Sequence, residues 1–242
     1  MKQFDDAREL TKHARDAFAK IEQAYRESLH DKEVKPRLLV EIKNVMENLR
    51  SALDFAAHGL FSKYGASPKP DPGVYFPYAL EGQSVGDFRA KQRIDQCIPG
   101  LAAARPDIVQ KLESNQHFAD AKNRWLPRFM ELNNANKHQQ LTAQTRREWR
   151  ELHISSGGTG MVLGEGTSIS MGPGTSIQMG GLVIPGGQTF DAHRPPRTAG
   201  QGKVEVVTWV SFDFSSNGEP VLPFLRTALE GVDRIVTELA TL

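Results

Sequence analysis

The chain has a single cysteine, Cys97, in 242 residues. That excludes an intrachain disulfide and a cysteine-based zinc site built from one copy, and it fits a reducing cytoplasm. Histidine does not make up the deficit. His13, His30, His58, His117, His138, His153 and His193 are scattered, with no His-x-x-x-His or His-Glu-x-x-His spacing, so no metal or other cofactor is expected. No apolar run nears the length that crosses a bilayer, and nothing after Met1 has the apolar stretch of a targeting segment. An excess of charge is missing too. At a formal +1, any electrostatic case for nucleic acid or membrane has to be local. The expectation is a soluble, cytoplasmic protein with no membrane partner. With 39% hydrophobic and 24% charged residues, the chain can bury one large core or a domain with a sizeable appendage.

The most conspicuous pattern, GEGTSISMGPGTSIQMGG at 164–181, is also informative by what it omits. Two copies of Gly-Thr-Ser-Ile-x-Met start at Gly166 and Gly174. A calcium-binding roll needs an aspartate in each turn, and none occurs between 155 and 190. A phosphate cradle needs a following helix and usually a lysine, and both are absent. What is left is an antiparallel meander of short strands at Met161–Leu163, Thr167–Met171, Thr175–Met179 and Leu182–Ile184, with tight glycine turns. This reading places Ser and Met on one side of each strand, with Thr and Ile across it. The methionines, being adaptable in shape, make 160–190 a candidate surface for a protein partner.

The rest of the chain opens in helical rhythm. Leu10, Ala14, Ala17/Phe18, Ile21 and Tyr25 make one apolar stripe. A second and more regular one runs Leu38, Ile42, Val45, Leu49, Leu53, Ala56 and Leu60, opened by Pro36 and stopped by Gly65 and three prolines. GASPKPDPGVYFPYALEG must be an extended loop, expected to be pinned by Tyr75, Phe76 and Tyr78. Further helices are expected at Val85–Gln96, Pro106–Ser114 and Ala119–Glu148, the last with Pro127 inside its pattern. At Trp149 the rhythm changes to alternation. The strongest strand, 203–215, has apolar residues on both faces and is expected to be an inner strand. Asn217-Gly218 then turns the chain into a final helix on Phe224, Leu225, Leu229, Val232, Ile235/Val236 and Leu239. The fold class is therefore α+β: an N-terminal helical bundle at 1–148, then at 149–242 a Gly-rich antiparallel β meander and a returning C-terminal helix.

Three polar groupings break these patterns. Arg50, Asp54 and His58 are spaced by four, on one face of the second helix: a solvent-facing ion-pair ladder, or a half-buried cluster with a partner elsewhere. In ELNNANKHQQL the stripe from Leu126 and Phe129 reaches Asn133, Asn136/Lys137 and Gln140, so an apolar face turns polar for two turns. Buried amides must be hydrogen-bonded or they are costly, so this is a network, an interface or a site. Between 122 and 150 lies the one strongly basic segment, with Lys122, Arg124, Arg128, Lys137, Arg146, Arg147 and Arg150 and the interleaved Trp125 and Trp149. Either it is a solvated face or it binds phosphates.

The pairing of NLRSALDFAAHGL with ELNNANKHQQL, around the Tyr75-Phe76-Pro77 loop, resembles a loose group of uncharacterised bacterial and phage-associated proteins. The resemblance covers roughly residues 35–145. That group is in turn distantly similar to the HEPN helical bundles, whose active members are often RNA-cleaving toxins or phage-defence proteins. They carry Arg-x(4–6)-His, commonly with a polar residue after the arginine, and work as dimers. The resemblance implies a homodimer with RNA as its partner, His138 at the histidine position and Asn134 at the polar one. Asn133 stands where the arginine would be. In a metal-independent cleavage His138 would carry the proton and Lys137 would stabilise charge, with Arg50 and Asp54 in support. A lysine is a point charge and not a bidentate fork, so the expectation is a non-catalytic or weakly catalytic relative. Two alternatives stand beside it: a structural protein whose Gly/Met-rich sheet binds a partner, and a metal-independent endoribonuclease using His138.

Overall fold

A computed structural model describes residues 2–27, 36–70, 72–138 and 144–242. The chain forms two compact units: Met1–Thr145 together with Asp213–Leu242, and Arg146–Phe212.

The first unit is helical. Helix α1 (Lys2–Glu27) packs on α2 (Pro36–Tyr64), and both pack on the C-terminal helix α8 (Val221–Ala240). All seven expected stripe residues of α2 are buried, as is the whole expected stripe of α8. In α1 the buried line is Phe4, Ala7, Thr11, Ala14, Phe18, Ile21 and Tyr25, so it passes beside Leu10. Because the apolar face of α8 completes this core, α8 groups with the first 145 residues. The sequence reading had placed it in a 149–242 region with the strands. Burial of a helical stripe needs other helices of matching pattern, and those lie at the far end of the chain.

Short helices α3 (Val85–Ala90), α4 (Arg93–Cys97), α5 (Leu101–Ala104) and α6 (Pro106–Ser114) follow the long loop. The single helix expected over Val85–Gln96 is thus two. The break is at Gln92, which takes the left-handed conformation at φ 48°. The helix expected over Ala119–Glu148 is also divided. A 3₁₀ turn at Ala121–Arg124 leads into α7 (Trp125–His138), which packs on α2 and α8. Pro127 lies in the first turn of α7, where its missing N–H costs no helical hydrogen bond. By Gln144 the chain is already a strand, since the residues around WRELHIS alternate and cannot keep one helical face buried.

The second unit is antiparallel sheet. Strand β1 (Gln144–Ser156) lies between β2 (Thr159–Leu163) and β8 (Lys203–Phe214); β3 (Ser168–Met171) pairs with β6 (Gln188–Asp191); β4 (Ser176–Met179), β5 (Leu182–Pro185) and β7 (Ala199–Gly200) form a third sheet. The β4–β5 hairpin is nested inside the β3–β6 pair, so the antiparallel pairing is not only between successive strands. Strand β8 sits at a sheet edge with Val206 and Trp209 exposed, and is not the inner strand its composition predicted.

The repeat belongs to this unit's core. Met179, Leu182, Ile184 and Phe190 are buried with Leu152 and Ile154, and Ile169, Met171 and Ile177 pack against them. Ile and Met therefore share the inward face, and Ser168 and Ser170 are exposed. The expected alternation, Ser with Met, is overturned by the two-residue period of a strand: Ile169 and Met171 are two apart and must lie on the same side.

Candidate functional site

Helix α2 carries Arg50 and Asp54 one turn apart, and they meet: Arg50 Nε donates to Asp54 Oδ2 at 3.0 Å. The pair is mostly sheltered, the Arg50 side chain being 11% exposed. The second carboxylate oxygen of Asp54 accepts the backbone N–H of Phe76 at 2.9 Å. The half-buried reading of this face therefore holds for two of its three members. His58 is exposed and makes no hydrogen bond among the described residues; with Gln3, Ser51, Asp54 and Phe55 it lines a shallow hollow of about 400 Å³.

The loop after α2 is held at several points. Phe76 is buried, Gln116 Oε1 accepts the N–H of Ala79 at 2.9 Å, and Gln116 Nε2 donates to Pro77 O at 3.1 Å. Tyr75 does not help to pin the loop through its ring, which is 55% exposed; only its N–H is used, donating to Cys97 O at 3.2 Å. Tyr78 is the centre of the arrangement. Its ring has the guanidinium carbon of Arg50 5.5 Å from its centroid and that of Arg93 at 5.7 Å. Both are within cation–π range. Its hydroxyl faces Asn134 Nδ2 of α7 at 3.5 Å, and Arg50 Nη1 lies against Met130 Sδ of the same helix.

Of the residues named from sequence, the structure thus brings Arg50, Asp54 and Asn134 together. Asn133 goes elsewhere. It is fully buried, and neither its amide nitrogen nor its oxygen has a hydrogen-bond partner among the described residues. Lys137 and His138 fall in the last turn of α7; their side chains, with those of Asn136 and Gln140, lie outside the described residues. The sequence reading does not single out Arg93, and takes Tyr78 only as a residue that pins the loop. Tyr78 had a signal in the aromatic loop, but AKQRIDQC gives Arg93 none, because its position depends on the break at Gln92.

The basic run is divided between the two units. Lys122 and Arg124 are exposed on the 3₁₀ turn, and Arg128 pairs with Glu219 and with Glu81, the latter at 3.4 Å. Arg146, Arg147 and Arg150 lie on β1, where Arg146 pairs with Glu148. Carboxylates therefore already engage Arg128 and Arg146 of this basic segment.

Burial pushes the Cys97 thiol up, and the nearby charges of Arg93 and then Arg50 pull it down. Among the described residues no three His, Cys, Asp or Glu side chains gather as metal ligands, and no helix is long and apolar enough to cross a membrane. Comparison with family models, curated proteins and solved structures finds no match.

Proposed function

We propose that the protein is a HEPN-like helical-bundle protein that binds its partner without cleaving it, working as a homodimer in a nucleic-acid-related role of the toxin or phage-defence kind. The observation that carries this reading is the burial of Asn133. At the place where the resemblance requires an exposed guanidinium stands an amide with no solvent access. A pentacoordinate phosphate needs charge placed where charge develops, and an uncharged, enclosed amide supplies none. Arg50, a guanidinium that touches the same helix at Met130, is already engaged by Asp54.

The test is RNA cleavage and cellular toxicity for the wild type and His138→Ala, with the solution mass measured by light scattering. The expected result is a dimer and no difference between the two proteins. Cleavage that disappears in His138→Ala would replace this reading by the endoribonuclease one. The partner-docking alternative draws support from the exposed Val162 in the 160–190 sheet, though not from its methionines, which face inward.

A further inference from the structure

Arg93 is a half-buried guanidinium with no hydrogen bond and no ion pair among the described residues, its one recorded contact being the face of Tyr78. Several arginines of the same unit are answered by carboxylates or amides: Arg89 by Glu113, Arg105 by Asp107, Arg128 by Glu219, Arg234 by Asn115 and Asn123. The Tyr78 ring is approached by two guanidiniums, and the carboxylate that pairs with Arg50, Asp54, has both oxygens in use. Partly desolvated positive charge without a counter-charge is costly, and a guanidinium's planar fork matches an oxyanion.

The other donors point the same way. Asn134 Nδ2 donates to the Tyr78 oxygen, which leaves the phenolic hydrogen and the second amide hydrogen to be given elsewhere. Asn134 is exposed, so the cluster opens to solvent on that side. Arg93 is also placed by design of the backbone. Gln92, immediately before it, is the one non-glycine residue of positive φ among the described residues, a conformation L-residues rarely adopt.

We infer that Arg93, Tyr78 and Asn134, backed by Arg50, form a binding site for a phosphate group. This rests on the reading that the site around Asn134 binds and does not cleave, and it names the chemistry bound. A phosphate can arrive as a free phosphomonoester or within a phosphodiester chain, and both present the same non-bridging oxygens.

The full-length protein would be titrated calorimetrically with inorganic phosphate, adenosine 5′-monophosphate and a short single-stranded oligoribonucleotide without terminal phosphates, each at matched ionic strength against chloride. Saturable binding of at least one probe is expected. Arg93→Gln should weaken it roughly tenfold or more, and Tyr78→Phe, which keeps the ring and removes the hydroxyl, by a smaller factor. Preference for the monophosphate or for the oligonucleotide distinguishes the two sources. Because Arg93 makes no ion pair among the described residues, the melting temperature of unliganded Arg93→Gln should not fall below that of wild type, which separates lost binding from lost fold. No saturable heat with any of the three, or binding by Arg93→Gln equal to wild type, overturns the inference. Neither result touches the cleavage assay, so the two readings fail independently.

Discussion

Asn133 and Asn134 are adjacent in sequence and opposite in circumstance. A helix turns its side chains by about 100° per residue, so one amide enters the core while the next reaches the Tyr78 hydroxyl at the surface. A buried amide with neither atom hydrogen-bonded costs several times what a satisfied one contributes. Asn133→Leu, close in volume and free of polar atoms, should therefore raise stability by about 1–2 kcal/mol, read from the urea midpoint at unchanged m-value. A loss of stability would mean that the amide has a partner in the working protein. The sequence did expose the anomaly, because Asn133 falls on the stripe of Leu126 and Phe129. It could not say that the amide would go unpaired, since pairing depends on side chains of other elements.

At the scale of elements, the glycine repeat is a pair of turns with one shared geometry. In Gly164-Glu165-Gly166-Thr167 and Gly172-Pro173-Gly174-Thr175, the third residue has φ of 77° and 80°, and Thr N–H closes the turn on the first residue's carbonyl at 3.1 and 3.4 Å. Glycine at the third position, with proline before it in the second copy, is the pattern a type II turn requires. A Cβ on Gly174 would meet nothing within 4 Å, so its cost is conformational and not steric. Gly174→Ala should lose about 1–2 kcal/mol, whereas Gly172→Ala, equally open and without positive φ, should change little. Equal thermal shifts in the two variants would refute the turn assignment. Here the element was legible in sequence because the constraint is local. The inward face of the strands was equally legible from their period of two, although the Ser-with-Met pairing misjudged it. The edge position of β8 was not legible, because apolar residues on both sides of a strand do not say which neighbour covers them.

For the molecule as a whole, the decisive event is the return of α8 to α1 and α2, which precede it by more than half the chain. It packs tightly at Gly231, where an added Cβ would collide with Trp125 Cζ2 of α7. The indole fills the space a side chain would take, and Trp125 is itself buried. Gly231→Ala should therefore destabilise the helical unit by about 1–3 kcal/mol through overpacking, despite alanine's better helix propensity. Far-UV circular dichroism during urea unfolding measures it; an increase in stability would mean that Trp125 repacks freely.

By itself the sequence determined the apolar rhythm of α2 and α8, the strand-and-turn character of 155–190, and the lack of a cysteine framework. Each follows from periodicity or composition, which act over a few residues and need no knowledge of distant ones. Tertiary structure alone decided that α8 belongs with α1 and α2, that Asp54 is held by the loop at Phe76, and that Arg93 stands beside Tyr78 with no ion pair among the described residues. These depend on which side chains from separate elements share a volume, and on one left-handed residue at Gln92 that no pattern in the sequence announces.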